Sequence, residues 1–492
     1  MNTQISKNIF LKTNKTTYLP KYIAQYSIVA YLVSISIVSI LYINQIFPFW
    51  LWLFGIGSIL LFFLGSNYFT KMWHNISSAT FVNKLLLSAF LIRLVYVIFI
   101  YYFNWNHYGT YYESSDGDIT FYVPAALQIV EQLSSGSFSE VIQTWLSWGV
   151  DVSDMGYIIY LSIVYLITGG ISDVVIPLIL KSLYGAITCV FIYRIAQRHF
   201  GEHVARMTGI FCMLHFTLIW WCGSMMKETE MIFLVTWYVN IADKVLSQEY
   251  FKLKDLIGAI ILCGCIFTFR AALSLVGFLA LFVAIILSDS KAIKLSNKII
   301  IGLLVAIVFV VAYSGGLSNI IEDAQIAITD TSGQQANMEM RAARAEGNRF
   351  AKYAGAAVFA PMIFTIPFPT MAYTFMDQEH IMMNSGGYFI KNVLSFFVIW
   401  VMFMLLFSGK WRKHVFPIAM LCGYLLALVF SNFAQSGRFH MPIIPLFMMF
   451  AAYGISFLNI KQISKWYNYA LILEIFICVA WAWFKLAGRG LI

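Results

Sequence analysis

The stretch LLLSAFLIRLVYVIFIYYF, Leu85–Phe103, carries a single charged side chain, Arg93. It is long and apolar enough to cross the hydrocarbon core of a bilayer as one helix. It has no polar face of the kind an amphipathic helix on a water-soluble core would show. The composition of the whole chain agrees: 60% of its 492 residues are hydrophobic and 11% are charged, against about 25% charged in a soluble domain. In lipid every backbone polar group must be bonded internally, so runs of this kind are read as helices. The expected fold is all-α, a polytopic transmembrane helix bundle with outer-face loops and an interfacial amphipathic helix.

Working outward from Leu85–Phe103, apolar runs of spanning length fall near 23–45, 48–66, 85–103, 174–195, 204–223, 227–243, 255–269, 271–289, 298–315, 388–408, 414–432, 440–458 and 467–486, about thirteen crossings. The basic residues cluster in short loops: Lys71 and Lys84; Arg194 and Arg198; Lys244, Lys252 and Lys254; Lys291 and Lys294; Lys410, Arg412 and Lys413; Lys461 and Lys465. A cytoplasmic N-terminus puts all of these clusters on the cytoplasmic side by alternation. The expected location is a bacterial inner membrane. This distribution also explains the net charge of +9 without nucleic acid. Two apolar stretches must not flip the chain if the parity is to hold. Residues 155–171 are short and end in Gly169-Gly170, and 354–375 contain Pro361, Pro367 and Pro369, which break helices. Both are read as re-entrant or interfacial.

The N-terminal Met1–Pro20 has no apolar stretch with a cleavage site, so no removable signal peptide is expected. The seven cysteines lie in or beside apolar runs and are read as small core residues. Trp145, Trp148, Trp220 and Trp221 are read as interfacial belt residues. Four regions result: 1–84, an N-terminal cytoplasmic segment with two spans; 85–315, a transmembrane core; 316–387, a long outer loop; and 388–492, C-terminal spans.

The chemistry-bearing residues gather at the outer ends of the spans. The loop 104–154 holds Glu113, Asp116, Asp118, Glu131, Glu140, Asp151 and Asp154 and no Lys or Arg. Asp116 and Asp118 flank one glycine, and in extended chain they would point the same way. Such carboxylates can act as a general base on a hydroxyl or hold a divalent cation; equally, they can be a solvated acidic loop. Apolar residues at Ile119, Val123, Leu127 and Val130 predict an amphipathic helix in the interface, ended by Ser134-Ser135-Gly136. Lys227 and Glu228 interrupt apolar sequence between two spans, where charge is costly. Arg270 lies between two apolar runs, and Arg438 and His440 open another. A guanidinium fork suits a phosphate; the plainer reading of each is an ion pair or a snorkelling side chain. Arg93 and Lys181 lie inside spans and are read as structural partners. No phosphate-binding Gly-Lys-Ser/Thr loop, dinucleotide glycine fingerprint or His-Glu-x-x-His is present.

The order of these features resembles the multi-spanning GT-C type glycosyltransferases, protein O-mannosyltransferase-like and aminoarabinose-transferase-like. The residues that carry the resemblance are Asp116-Gly-Asp118-x-x-x-Tyr122, Tyr157-x-x-Tyr160, Lys181-Ser182-Leu183-x-Gly185, Tyr193-Arg194, Phe200-Gly201-Glu202-His203-x-Ala205, Lys227-Glu228 and Gly437-Arg438-Phe439-x-x-Pro442-x-x-Pro445. They cover roughly residues 85–300 and 430–460, and it is their order rather than any single motif that is distinctive. The resemblance implies a sugar transferred from a polyprenyl-phosphate-linked donor to a hydroxyl of a glycan, lipid or protein acceptor on the outer face. It implies Asp116 or Asp118 as base, and Glu113 is a further candidate in the same loop; the chemistry of the residues themselves suits Lys227, Arg270, Arg438 and His440 to the donor phosphate. No cofactor is specified, and a divalent metal is left open. The chain departs from the pattern in two extra N-terminal spans, in having no large soluble C-terminal domain, and in a second acidic motif represented at most by Glu228 or Glu230. A repeat-unit polymerase or ligase using Arg341, Arg344 and Arg349, and a lipid or glycan flippase, are the alternatives.

Overall fold

The computed structural model describes residues 16–111, 117–136, 140–141, 143–144, 152–169, 174–247, 252–287, 360–374, 379–431, 436–457, 460–487 and 490–492. Among them the chain is all-helical. The helices used below are α1 (Lys21–Leu41), α2 (Phe49–Met72), α3 (Ser78–Tyr108), α4 (Gly117–Ser134), α5 (Val152–Ile167), α6 (Val175–Phe200), α7 (Glu202–Leu214), α8 (Phe216–Trp220), α9 (Glu228–Ser247), α10 (Leu253–Phe269), α11 (Ala271–Leu287), α12 (Glu379–Met383), α13 (Ser385–Phe407), α14 (Val415–Phe430), α15 (Gly437–His440), α16 (Ile444–Phe457) and α17 (Ile460–Ala487).

Eight of the described helices or helix runs are long and apolar enough to cross a membrane, or nine if α7 and α8, bent by 56°, form one span. The chain is an integral multi-pass membrane protein. Three of the expected spans fall outside that set for physical reasons. Helix α9 is long enough, but Glu228, Glu230, Asp243 and Lys244 load it with charge. Helices α10 and α11 have 17 residues each, about 26 Å of helix against a core of about 30 Å. Even so, α9 and α10 join the two ends of the bundle. Lys244, in the last turn of α9, pairs with Asp255 at the start of α10, while Glu228 and Arg270 lie together at the opposite ends of the same helices. The expected span 298–315 lies outside the described residues.

Large apolar side chains point outward along the helices, among them Ile40, Phe49, Ile167 and Phe407, as a lipid-facing surface requires. The hydropathic window of α3 is only 28% buried, so α3 is peripheral; the run Gly437–Phe457, at 89%, is central. Close helix approach is made possible by small residues: a Cβ on Gly387 would stand 2.0 Å from Thr217 Oγ1. Cys189, Cys212, Cys222 and Cys478 are buried as expected, but Cys265 is exposed. Trp220 and Trp221 are buried against each other, edge to face, with ring centroids 4.6 Å apart. They are core residues rather than a belt, because α8 and the 3-10 turn Trp221–Gly223 run inside the bundle.

Residues 363–374 are the clearest departure from helix. Ile366 to Ala372 are nevertheless buried. Lys391, fully buried on α13, donates to the Phe364 carbonyl at 3.3 Å and to the Ile366 carbonyl. Phe368 meets Trp481 of α17. Lys391 sits six residues into α13, about 9 Å from its start. The stretch therefore packs against α13 and α17, with its non-helical carbonyls bonded by a buried side chain. The other awkward stretch is the single helix α5, whose Gly156 abuts Thr268 and Phe269 of α10.

Arg93 is a structural residue. The α7–α8 break at His215 leaves carbonyls without helical partners. The buried Arg93 guanidinium donates to two of them, Cys212 O at 3.0 Å and Met213 O at 3.4 Å.

Candidate functional site

Four chain breaks meet at one end of the bundle, and each delivers a charge. Helix α4 starts at Gly117, with Asp118 in its first turn. The non-helical Ser224–Lys227 leads into α9, which opens on Glu228. The junction of α10 and α11 is the extended residue Arg270. The short α15 opens at Gly437 and carries Arg438 and His440. Short polar residues and helix breaks at span ends are where water and charge are least costly, which is why the sequence can hold these groups here.

Arg438 is the hub. Its Nη2 lies 2.6 Å from Asp118 Oδ2, and its Nε donates to Glu228 Oε1. Arg270 Nη2 is 4.0 Å from the same Glu228 oxygen. Arg270 also donates to Tyr424 Oη at 3.1 Å and lies 4.2 Å above the Phe439 ring, so its plane is fixed by a hydrogen bond and a cation–π contact. The Glu228 side chain is fully buried, whereas that of Asp118 is 46% exposed. Glu228 Oε2 has no hydrogen-bond partner among the described residues. A buried carboxylate is retained only where cations compensate it, and here two guanidinium groups do so.

Lys227, in the turn before α9, is buried. Burial first, then the neighbouring Arg270 and Arg438 charges, push its ammonium down to about 8 against the pull of Glu228 and Asp118. Tyr122, one turn into α4, is raised by burial and by the Asp118 charge. The turn that presents Lys227 and Glu228 is clamped from below. Lys181 of α6, fully buried, donates to the Met226 carbonyl and to Glu230 Oε2 at 2.6 Å, and lies 4.9 Å from the Tyr157 ring. Lys181 therefore holds the backbone before the Lys227-Glu228 pair, at Met226, and a side chain after it, at Glu230.

Of the residues singled out in the sequence, Asp118, Glu228, Arg270 and Arg438 are joined in one ion-pair network, with the Lys227 ammonium under the influence of all four. His440 is buried on the same short helix as Arg438. Glu113, Asp116, Arg341 and Arg344 lie outside the described residues. One expectation is corrected. Asp118 is not in extended chain beside Asp116, because α4 begins at Gly117 and places Asp118 in a first helical turn, where the helix dipole favours a carboxylate. The predicted amphipathic helix is present, and it ends where expected, with Gly136 at φ 82°.

Lys181, read from the sequence as a structural partner inside a span, has Glu230 as that partner; Tyr424 carries no local sequence signal that would place it here. A further buried carboxylate, Glu379, was not singled out. It accepts from Tyr108 at 2.7 Å and Tyr373 at 3.4 Å, and His107 lies 3.4 Å away. Among the described residues no group of three or more His, Cys, Asp or Glu is arranged to hold a metal. Asp118 has a guanidinium on its carboxylate. Against protein-family models, curated proteins and solved structures, the chain has no match.

Proposed function

We propose that the protein is a GT-C-like membrane glycosyltransferase. It would move a sugar from a polyprenyl-phosphate-linked donor to a hydroxyl acceptor on a glycan, lipid or protein at the outer face, in assembly of a cell-surface polysaccharide or glycoconjugate. The reading carries with it about thirteen crossings and a cytoplasmic N-terminus in a bacterial inner (plasma) membrane. The observation that supports it most is the shared guanidinium. Arg438 joins a loop carboxylate, Asp118, to a buried one, Glu228, with Arg270 and Lys227 beside them.

The chemistry follows from the charges. The acceptor oxygen forms a bond to the anomeric carbon of the donor. The bond from that carbon to the phosphate oxygen breaks, and polyprenyl phosphate leaves with the electron pair. Asp118 is the base that takes the hydroxyl proton. Arg438, Arg270 and Lys227 balance the charge that builds on the departing phosphate. Glu228 holds the two arginines in place, and Lys181 positions the turn that carries Lys227.

The test is a paired substitution followed by mass analysis of lipid-linked and surface glycans. Asp118→Asn, alone and with Asp116→Asn, is expected to abolish transfer and let the lipid-linked donor accumulate. Arg341→Gln with Arg344→Gln is expected to leave it intact. The reverse pattern would favour the polymerase or ligase, and unaltered glycan in every variant would remove both enzyme readings.

A further inference from the structure

Arg438 makes two ion pairs of unequal strength. Its partner Glu228 is sealed inside the bundle and cannot leave without stranding a buried charge. Its partner Asp118 is half exposed, on the first turn of the amphipathic helix α4. Exposed pairs exchange readily because water stabilises the separated charges. The phosphodiester of a lipid-linked donor carries one negative charge, as a carboxylate does, and can take two guanidinium nitrogens at once. Arg270, stacked on Phe439 and bonded to Tyr424, and Lys227 stand beside the same spot. An anion arriving there therefore gains three cations and displaces one partner, the weaker of the two.

We propose that the phosphate of the lipid-linked donor and the carboxylate of Asp118 compete for Arg438, so that donor binding itself frees the base. This rests on the transferase reading and specifies its order. With no donor bound, Asp118 accepts from a guanidinium, which occupies the oxygen that would meet the acceptor hydroxyl. Once phosphate occupies Arg438, Asp118 is released beside the anomeric carbon. Donor binds first, and the acceptor hydroxyl is activated only afterwards. Asp118 is then both catalytic base and latch.

Competition makes an unusual forecast: the variant that cannot react should hold phosphate more tightly. The purified full-length protein in lipid nanodiscs would be titrated with polyprenyl monophosphate and, separately, with inorganic phosphate. Asp118→Asn is expected to bind the polyprenyl phosphate roughly three- to tenfold tighter than wild type. Asp118 is half exposed, so the variant should fold, and a thermal melt checks this. The gain should vanish when Arg438→Gln is present in both members of the comparison. Equal or weaker binding by Asp118→Asn, with wild-type binding intact, overturns the latch and leaves the transferase reading standing. So does a gain that persists without Arg438. Absence of any wild-type binding to polyprenyl phosphate removes the transferase reading and the latch with it. A gain with inorganic phosphate as well as with the lipid assigns recognition to the phosphate alone; a gain with the lipid only assigns part of it to the chain. Both support the competition.

Discussion

The two ends of the bundle use the same residue types in different ways. At the end where α2 meets α3, Arg206 donates to Glu202 at 2.6 Å and to the carbonyls of Trp73, His74 and Ile76 at 2.7–2.8 Å. Close by in sequence, Arg198 and His199 share Asp243, and His199 meets His414 at 2.9 Å. There each arginine spends its donors on fixed backbone or on one carboxylate, and the connecting loops are stapled in place. At the other end a single guanidinium is divided between two carboxylates, and one buried oxygen each of Glu228 and Glu230 has no hydrogen-bond partner among the described residues. Saturated networks rigidify; incompletely satisfied ones are where a ligand finds its partners. Charge content does not separate the two ends, but the way the charges are satisfied does.

The largest effect that would break this comparison is on turnover. Asp118→Asn should lower the transfer rate by about 10²–10⁴, the usual contribution of a general base, with the melting temperature unchanged because the side chain is half exposed. Glycan transfer in membranes, normalised to protein level, measures it; full activity would demote the site end to a second staple. Next in size is Glu228→Gln, which takes away the buried anion that two arginines share. It should destabilise by about 3 kcal/mol as well as abolishing transfer. Arg206→Ala at the opposite end should cost about 1–3 kcal/mol through its lost charge-assisted hydrogen bonds, seen as a lower melting temperature. The folded fraction should keep its specific activity. A loss of activity in Arg206→Ala without a stability change would mean the two ends are coupled.

How much of this was legible in the sequence follows the same division. Membrane character could be read directly, since runs such as Leu85–Phe103 have no alternative, and helix α4 could be read from its apolar spacing and its Ser-Ser-Gly stop. The site residues could be read one at a time, because a charge at the end of an apolar run stands out. Their partnership could not. That Arg438 reaches both Asp118 and Glu228 depends on how α4, α9 and α15 pack, across a separation of 210 residues for the Arg438–Glu228 contact. Tyr424 looks like any other aromatic residue in a span until Arg270 is seen bonded to it. Trp220 and Trp221 misled because the break at His215 turns them inward, and a break inside an apolar run has no marker when no proline or glycine makes it. The count of spans was less legible, because α10 and α11 are apolar throughout yet each is shorter than the bilayer core.

The smallest predicted effect sharpens the comparison most, because it has opposite signs in activity and stability. Lys227 is lowered from 10.5 to about 8, first by burial and then by Arg270. In the free protein it loses its proton as pH rises through about 8, and the site end loses one of the cations facing the donor. The kcat/KM for donor, which reports ionisations of the free enzyme, should therefore fall several-fold between pH 7 and 9 (a roughly twofold loss already at pH about 8). Stability should move the other way. Between about 8 and 10.5 the unfolded chain binds the Lys227 proton and the folded chain does not, so stability from this group rises with pH across that window. Below it both states are protonated and the full cost of burying the cation is felt. Lys227→Met should flatten both trends, and Lys227→Arg should keep activity level to higher pH. No change in either slope in Lys227→Met would show that its charge faces neither donor nor cluster, leaving Arg270 and Arg438 as the cations of the network that meet the phosphate.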